Sequence, residues 1–111
     1  MATYAPQKWV VVKLTNLNTG QIFYKILAGF WDTWRISSQI ISCGPYMNDH
    51  RIEFSMSTGS NYICHPEDYG LNNLTSGIFD NLVKEVGDRQ GFEVSIVDGN
   101  NTDFINKDFD K

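Results

Sequence analysis

Cysteine, proline and clustered basic charge are all scarce in this sequence. Two cysteines, Cys43 and Cys64, cannot build a disulfide framework, and in an intracellular protein such thiols stay reduced. With 41% hydrophobic and 20% charged residues, the composition excludes global disorder, and there is no repeat or low-complexity tract. The apolar run Trp9-Val10-Val11-Val12 is far too short to cross a bilayer or to direct export. The sequence therefore predicts no membrane association, no secretory leader and a cytoplasmic location. Without export, the glycosylation patterns at Asn73-Leu74-Thr75 and Asn100-Asn101-Thr102 carry no meaning.

Nucleotide-fold signatures are missing as well: neither GxxxxGK[ST] nor GxGxxG occurs. Non-specific DNA or RNA binding needs several clustered Lys or Arg, whereas this chain carries a net charge of −4 and a pI near 4.9. The charge is also uneven. Through Phe79 five basic residues (Lys8, Lys13, Lys25, Arg35, Arg51) balance five acidic ones (Asp32, Asp49, Glu53, Glu67, Asp68). From Asp80 onward acidic residues outnumber basic ones eight to four, so the imbalance belongs to the C-terminal third.

What the chain has in abundance is aromatic side chains: three Trp, five Tyr and seven Phe in 111 residues. They favour strands and supply large contact area at low entropic cost, which suits a β-rich core and a binding surface alike. Residues 8–15 alternate as a strand, with Val10, Val12 and Leu14 on one face and Trp9 and Val11 on the other. After the turn chemistry of Asn16-Leu17-Asn18-Thr19-Gly20, residues 21–27 return with Phe23, Lys25 and Leu27 opposed to Ile22, Tyr24 and Ile26. Residues 34–43 read as one further strand, on which Trp34, Ile36 and Ile40 share a face with Ser38 and Ser42. Gly44-Pro45 then opens a loop, and 51–57 with 61–65 form a second hairpin. Past an irregular 67–73, with Asn73 or Thr75 as N-cap, Ile78, Leu82, Val83 and Val86 fall on one helical stripe that Gly87 ends as a C-terminal cap. A last strand covers 92–97.

The order β-β-β-β-β-α-β predicts an α+β fold, a small antiparallel, curved sheet of about six strands with one covering helix. Residues 1–97 are expected to form a single domain and 98–111 an acidic loop and loosely held tail.

With Thr58-Gly59 as a two-residue turn, Met56 faces Asn61, Ser55 faces Tyr62 and Phe54 faces Ile63. One face then holds Ile52, Phe54, Met56, Ile63 and His65, and the other Glu53, Ser55, Tyr62 and Cys64. The run Ser57-Thr58-Gly59-Ser60 offers hydroxyls and backbone N–H groups able to cradle an anion, although tight turns use these residues anyway. His65 is either a sheet residue or a ligand contact.

Catalytic and metal templates do not find their residues. Cys43, His50, Cys64 and His65 lack the short paired spacing of a zinc site, and adjacent strand residues point to opposite faces. Glu53 beside Cys64 would raise a thiol pKa, against nucleophilic use. No carboxylate pair is marked out for glycoside chemistry. The loop 98–103 fails as a calcium site, with Asp103 where Gly is required and Phe109 where a bidentate Glu belongs. No cofactor and no metal are expected.

Arg35 and Arg51 are the only basic residues between Leu27 and Val83. An arginine fork pairs with phosphate while aromatic rings stack on bases, so Trp34-Arg35 suits a nucleotide-sized ligand; salt bridging to Asp49 or Glu53 is the plainer alternative. Trp34, Arg35, Arg51, Ser57, Thr58, Gly59, Ser60, Tyr62, His65 and Tyr69 are the expected ligand-binding residues, with none catalytic.

The pairing of Trp34-Arg35-Ile36-Ser37-Ser38-x-Ile40 with Ser57-Thr58-Gly59-Ser60-x-Tyr62-x-Cys64-His65-x-x-x-Tyr69-Gly70 resembles short proteins of bacteriophages and mobile elements. The likeness covers roughly the middle third of the chain. More loosely, a compact, aromatic-rich chain of this kind is similar to phage anti-defence sponge proteins, which sequester cyclic nucleotide signals and are usually homo-oligomers with pockets between subunits. That resemblance implies a non-catalytic, homo-oligomeric binder of a small phosphate-bearing nucleotide, acting in the host cytoplasm. The alternative is an inhibitor of a host protein, anti-CRISPR-like or a host-takeover factor, in which the acidic C-terminal third makes the contact.

Overall fold

A computed structural model of the protein describes residues 3–43, 52–88 and 90–97. Its first hairpin carries the architecture. β2 (Lys8–Asn16) and β3 (Ile22–Gly29) pair antiparallel, Lys8 opposite Gly29 through Thr15 opposite Ile22. The turn is the one its residues dictate: Asn16 Oδ1 accepts the amides of Asn18 and Thr19, and Gly20 adopts φ 76°. β2 is buried on both faces. Trp9 and Val11 point one way and Val10 and Val12 the other, so this strand must lie between two layers.

Those layers are two sheets and a helix. β4 (Trp34–Ile36), β3, β2 and β8 (Phe92–Ile96) make one four-stranded sheet in that order. β1 (Thr3–Tyr4), β7 (Asn61–Cys64), β6 (Ile52–Met56) and β5 (Ile40–Cys43) make the other, with β1 parallel to β7. Between the sheets Trp9, Val11, Ile26 and Ala28 meet Ile40, Ile52, Phe54, Met56, Tyr62 and Cys64. Each large side chain buried there stabilises by about 1.5–3 kcal/mol. On the far face of the first sheet, Val10, Val12 and Leu27 pack against Ile78 and Phe79 of α1 (Asn73–Leu82). The α+β class and the covering helix agree with expectation, while among the described residues the strands number eight in two sheets rather than about six in one.

Three expectations need correction. Residues 34–43 are two strands, not one. β4 pairs with β3 and β5 with β6, and the break falls at Ser37. Ser37 Oγ accepts the amide of Ile26 at 2.8 Å, standing in for a backbone carbonyl, and donates to Ser38 O at 2.7 Å. The chain is thus released from one sheet and crosses to the other. Ile36 consequently faces the helix while Ile40 faces the inter-sheet core.

The second hairpin is out of the expected register by one residue. Phe54 lies opposite Tyr62 and Ser55 opposite Asn61. Met56 N–H donates to Ser60 O and Gly59 N–H to Met56 O, with Gly59 at φ 91°. The loop is therefore the three residues Ser57-Thr58-Gly59 ending on a left-handed glycine, a common alternative to the two-residue turn. A one-residue slip moves every side chain to the other face, and it brings Tyr62 and Cys64 inward with Ile52, Phe54 and Met56.

The helix is capped by Asn72, one residue before Asn73, the first of the two expected N-caps. Asn72 Oδ1 accepts the Thr75 amide and Thr75 Oγ1 accepts the Asn72 amide, both at 2.8 Å. Gly29 makes room for this cap: a Cβ there would stand 2.5 Å from Asn72 Nδ2. Gly87 does not cap the end, because it sits inside a π-helical continuation, Val83–Asp88, and its φ is not positive. That widened winding shifts the stripe, leaving Val83 exposed while Leu82 and Val86 stay turned to the sheet. The 44–51 loop and the 98–111 tail lie outside the described residues.

Candidate ligand cleft

α1 closes only part of the sheet it covers. Its first turns sit on Gly29, and Ile78 and Phe79 pack against Val10, Val12 and Leu27. Toward its other end, Leu82 and Val86 face Val12, Leu14, Phe23, Lys25, Ile36 and Phe92 across a cleft of about 560 Å³. Ser38, Gln39, Ser57 and Gln90 rim it. A mostly apolar concavity with a few polar groups at its edge, in this size range, is the usual form of a small-molecule site.

Strand alternation builds the floor. Phe23, Lys25 and Leu27 share one face of β3, and Lys25 lies opposite Val12. Among the described residues the half-buried Lys25 is the one cation lining the cleft, and no carboxylate pairs with it. At one end the rings of Phe23 and Phe92 stand 6.5 Å apart and tilted by 49°. At the rim the second hairpin docks on the β4–β5 crossover. Ser57 N–H donates to Gln39 O at 2.8 Å, and the Ser38 and Thr58 hydroxyls are hydrogen-bonded at 3.0 Å.

Of the expected site residues that are described, only Ser57 lines this cleft. Trp34 and Arg35 occupy opposite faces of β4. Trp34 is 40% exposed, opposite Gly29. Arg35 points the other way and lies 4.4 Å from the centroid of the Tyr4 ring, which in turn stands 4.9 Å from the ring of Tyr62. Tyr62 is 1% exposed. Burial pushes its hydroxyl pKa up, and the Arg35 guanidinium, within hydrogen-bonding reach, pulls it partly back.

The Ser57–Ser60 turn uses two of its amides internally: those of Ser57 and Gly59 donate to Gln39 and Met56. The carbonyl of His65 accepts from Trp9 Nε1 at 2.7 Å and from the Asp68 amide at 3.0 Å. Tyr69 accepts the Val11 amide at 3.0 Å, donates to Val97 O at 2.6 Å and sets its ring at a right angle to Trp9. Both residues tie β2 to the segment after β7. Arg51 lies outside the described residues.

Lys25, Phe23, Ser38, Gln39, Leu82, Val86, Gln90 and Phe92 line the cleft and were not among the expected ligand-binding residues. One signal was present: a lysine in the row Phe23-x-Lys25-x-Leu27, on the face shared with apolar neighbours. The rest come together only through the crossover at Ser37 and the helix ending above β8, neither of which a local pattern reveals.

Among the described residues, no three His, Cys, Asp or Glu side chains gather as a metal site, and no helix is long and apolar enough to cross a membrane. No protein-family model, curated protein or solved structure matches the chain.

Proposed function

We propose that this chain is a non-catalytic binding protein that holds one small molecule in the cleft under α1. The cleft itself carries the reading: apolar walls, two phenyl rings, one cation and a rim of hydroxyls and amides. A phosphate-bearing nucleotide is the ligand that sequence features suggest, and apart from Ser57 the residues supporting it differ from those first expected. Phe23 and Phe92 offer ring faces for a base, Lys25 a charge for phosphate, and Ser38, Gln39, Ser57 and Gln90 hydrogen bonds for the sugar. Among the described residues no carboxylate, imidazole or thiol lines the cleft, which favours capture of an intact ligand over its conversion. Release is then simple dissociation, and the biological role a sequestering one, in keeping with the phage-type resemblance. Thermal melting with a panel of cyclic and linear nucleotides tests this. A rise in melting temperature that saturates with one of them is expected, and no rise with any overturns nucleotide capture.

A second reading, a protein-contact module that inhibits a host factor, is favoured by one observation. Trp31 is 90% exposed at the tip between β3 and β4, beside the partly exposed Trp34. Exposed tryptophan is the side chain most often found at the energetic centre of protein interfaces. Here Trp31→Ser abolishes inhibition of the host factor while leaving small-molecule binding intact, and an unchanged inhibition overturns it.

A further inference from the structure

We infer that the cleft selects ligands bearing one negative charge on an otherwise apolar body, and that Lys25 makes the selection. This rests on the reading of the cleft as a small-molecule site. Lys25 rises from the middle of β3, half-buried, with Val12, Leu14 and Ile36 lining the same cleft. Among the described residues the other polar groups around the cleft, those of Ser38, Gln39, Ser57 and Gln90, are all neutral.

Discrimination follows from both sides. A neutral ligand covers Lys25 and strips water from a cation while offering no counter-charge, so it binds against a desolvation cost. A ligand with a single carboxylate or phosphodiester supplies the missing partner and forms a charge-assisted hydrogen bond in a low-dielectric setting. A second charge finds no second cation among the described lining residues and is desolvated without compensation. The remaining lining is hydrocarbon and two phenyl rings, which favours a flat or compact apolar body. Two sources share the single charge beside a flat ring system, an aromatic carboxylate and a cyclic nucleotide, whose phosphodiester bears one charge and whose polar edges meet the rim amides and hydroxyls.

Calorimetric titration of the whole chain with matched probes tests the inference. The carboxylate arm is 2-naphthoate against its neutral 2-naphthamide and the doubly charged 2,6-naphthalenedicarboxylate. The nucleotide arm is cyclic AMP against AMP. In at least one arm the monoanion should bind roughly tenfold more tightly than its counterparts, the effect expected of one charge-assisted contact. Lys25→Met should erase that preference and Lys25→Arg should keep it. Equal affinity for naphthoate and naphthamide together with equal affinity for cyclic AMP and AMP overturns the inference, as does a preference that survives Lys25→Met. If probes bind equally and Leu82→Trp, which fills the cleft, abolishes binding, the cleft reading stands and only the charge selection falls. If no probe binds in either arm, both fall together.

Discussion

Lys25 stands directly opposite Val12 in the β2–β3 ladder, on the face of β3 that also carries Phe23 and Leu27. A cation in the middle of an apolar row adds nothing to the core, and replacing it with an uncharged apolar side chain of similar length removes only its desolvation. Lys25→Met should therefore leave the unfolding free energy within about 0.5 kcal/mol of the parent, or raise it. Guanidinium denaturation measures this. A loss above about 2 kcal/mol would assign Lys25 to the scaffold instead of to a ligand.

Arg35, Tyr4 and Tyr62 form a second charged cluster, on the opposite side of the same sheet. Tyr62 is neutral when protonated, and its native pKa lies above the ordinary tyrosine value of 10.0, chiefly through burial. The folded state thus holds this proton more tightly than the unfolded state. The associated stability is fully present below pH 10, and it is lost as pH rises through the native pKa. Tyr62→Phe should flatten that alkaline decline. Arg35→Ala removes the influence that lowers the pKa, so tyrosinate absorbance of Tyr62 should appear at higher pH than in the parent. The same substitution should cost about 0.5–1 kcal/mol for the exposed guanidinium–ring contact. An unmoved titration would show that the two side chains are not coupled.

Ser37→Ala tests the crossover between sheets. Ser37 is only 5% exposed, and its Oγ accepts the amide of the fully buried Ile26. Removing the hydroxyl leaves that amide without a partner, at about 1–3 kcal/mol. Exchange of the Ile26 amide should accelerate more than that of Val11, its partner in the β2–β3 ladder. Equal acceleration at both would show that the crossover is held by packing alone.

Much of the scaffold is legible locally because period and turn chemistry act over a few residues. The two-faced burial of β2 follows from Trp9-Val10-Val11-Val12, and the Asn16–Gly20 turn from side-chain oxygens and a left-handed glycine. Misread elements are those decided at a distance. Residues Thr3 and Tyr4 give no strand signal by themselves, and their pairing is made by Asn61 and Tyr62. The break at Ser37 depends on a bond to Ile26, eleven residues away. Ser57-Thr58-Gly59-Ser60 accommodates loops of two or three residues, and burying Tyr62 with Cys64 favours the three-residue choice. The cleft was the least legible part, since β2, β3, β4, β8, the crossover and the helix end all contribute to it.

That loop choice is itself testable. Gly59→Ala forces a Cβ into φ 91° and should cost about 1–2 kcal/mol. Nuclear Overhauser contacts should join the backbone of Phe54 to that of Tyr62. Contacts from Phe54 to Ile63 in their place would restore the two-residue turn.

The most direct test of the account is an NMR titration of the intact chain, resolving methyl groups and indole N–H groups, with cyclic AMP and with 2-naphthoate. Saturable shifts should concentrate on the methyl groups of Val12, Leu14, Ile36, Leu82 and Val86, the aliphatic lining of the cleft. Shifts centred on the Trp31 and Trp34 side chains, with the cleft methyls unmoved by either compound, would contradict it.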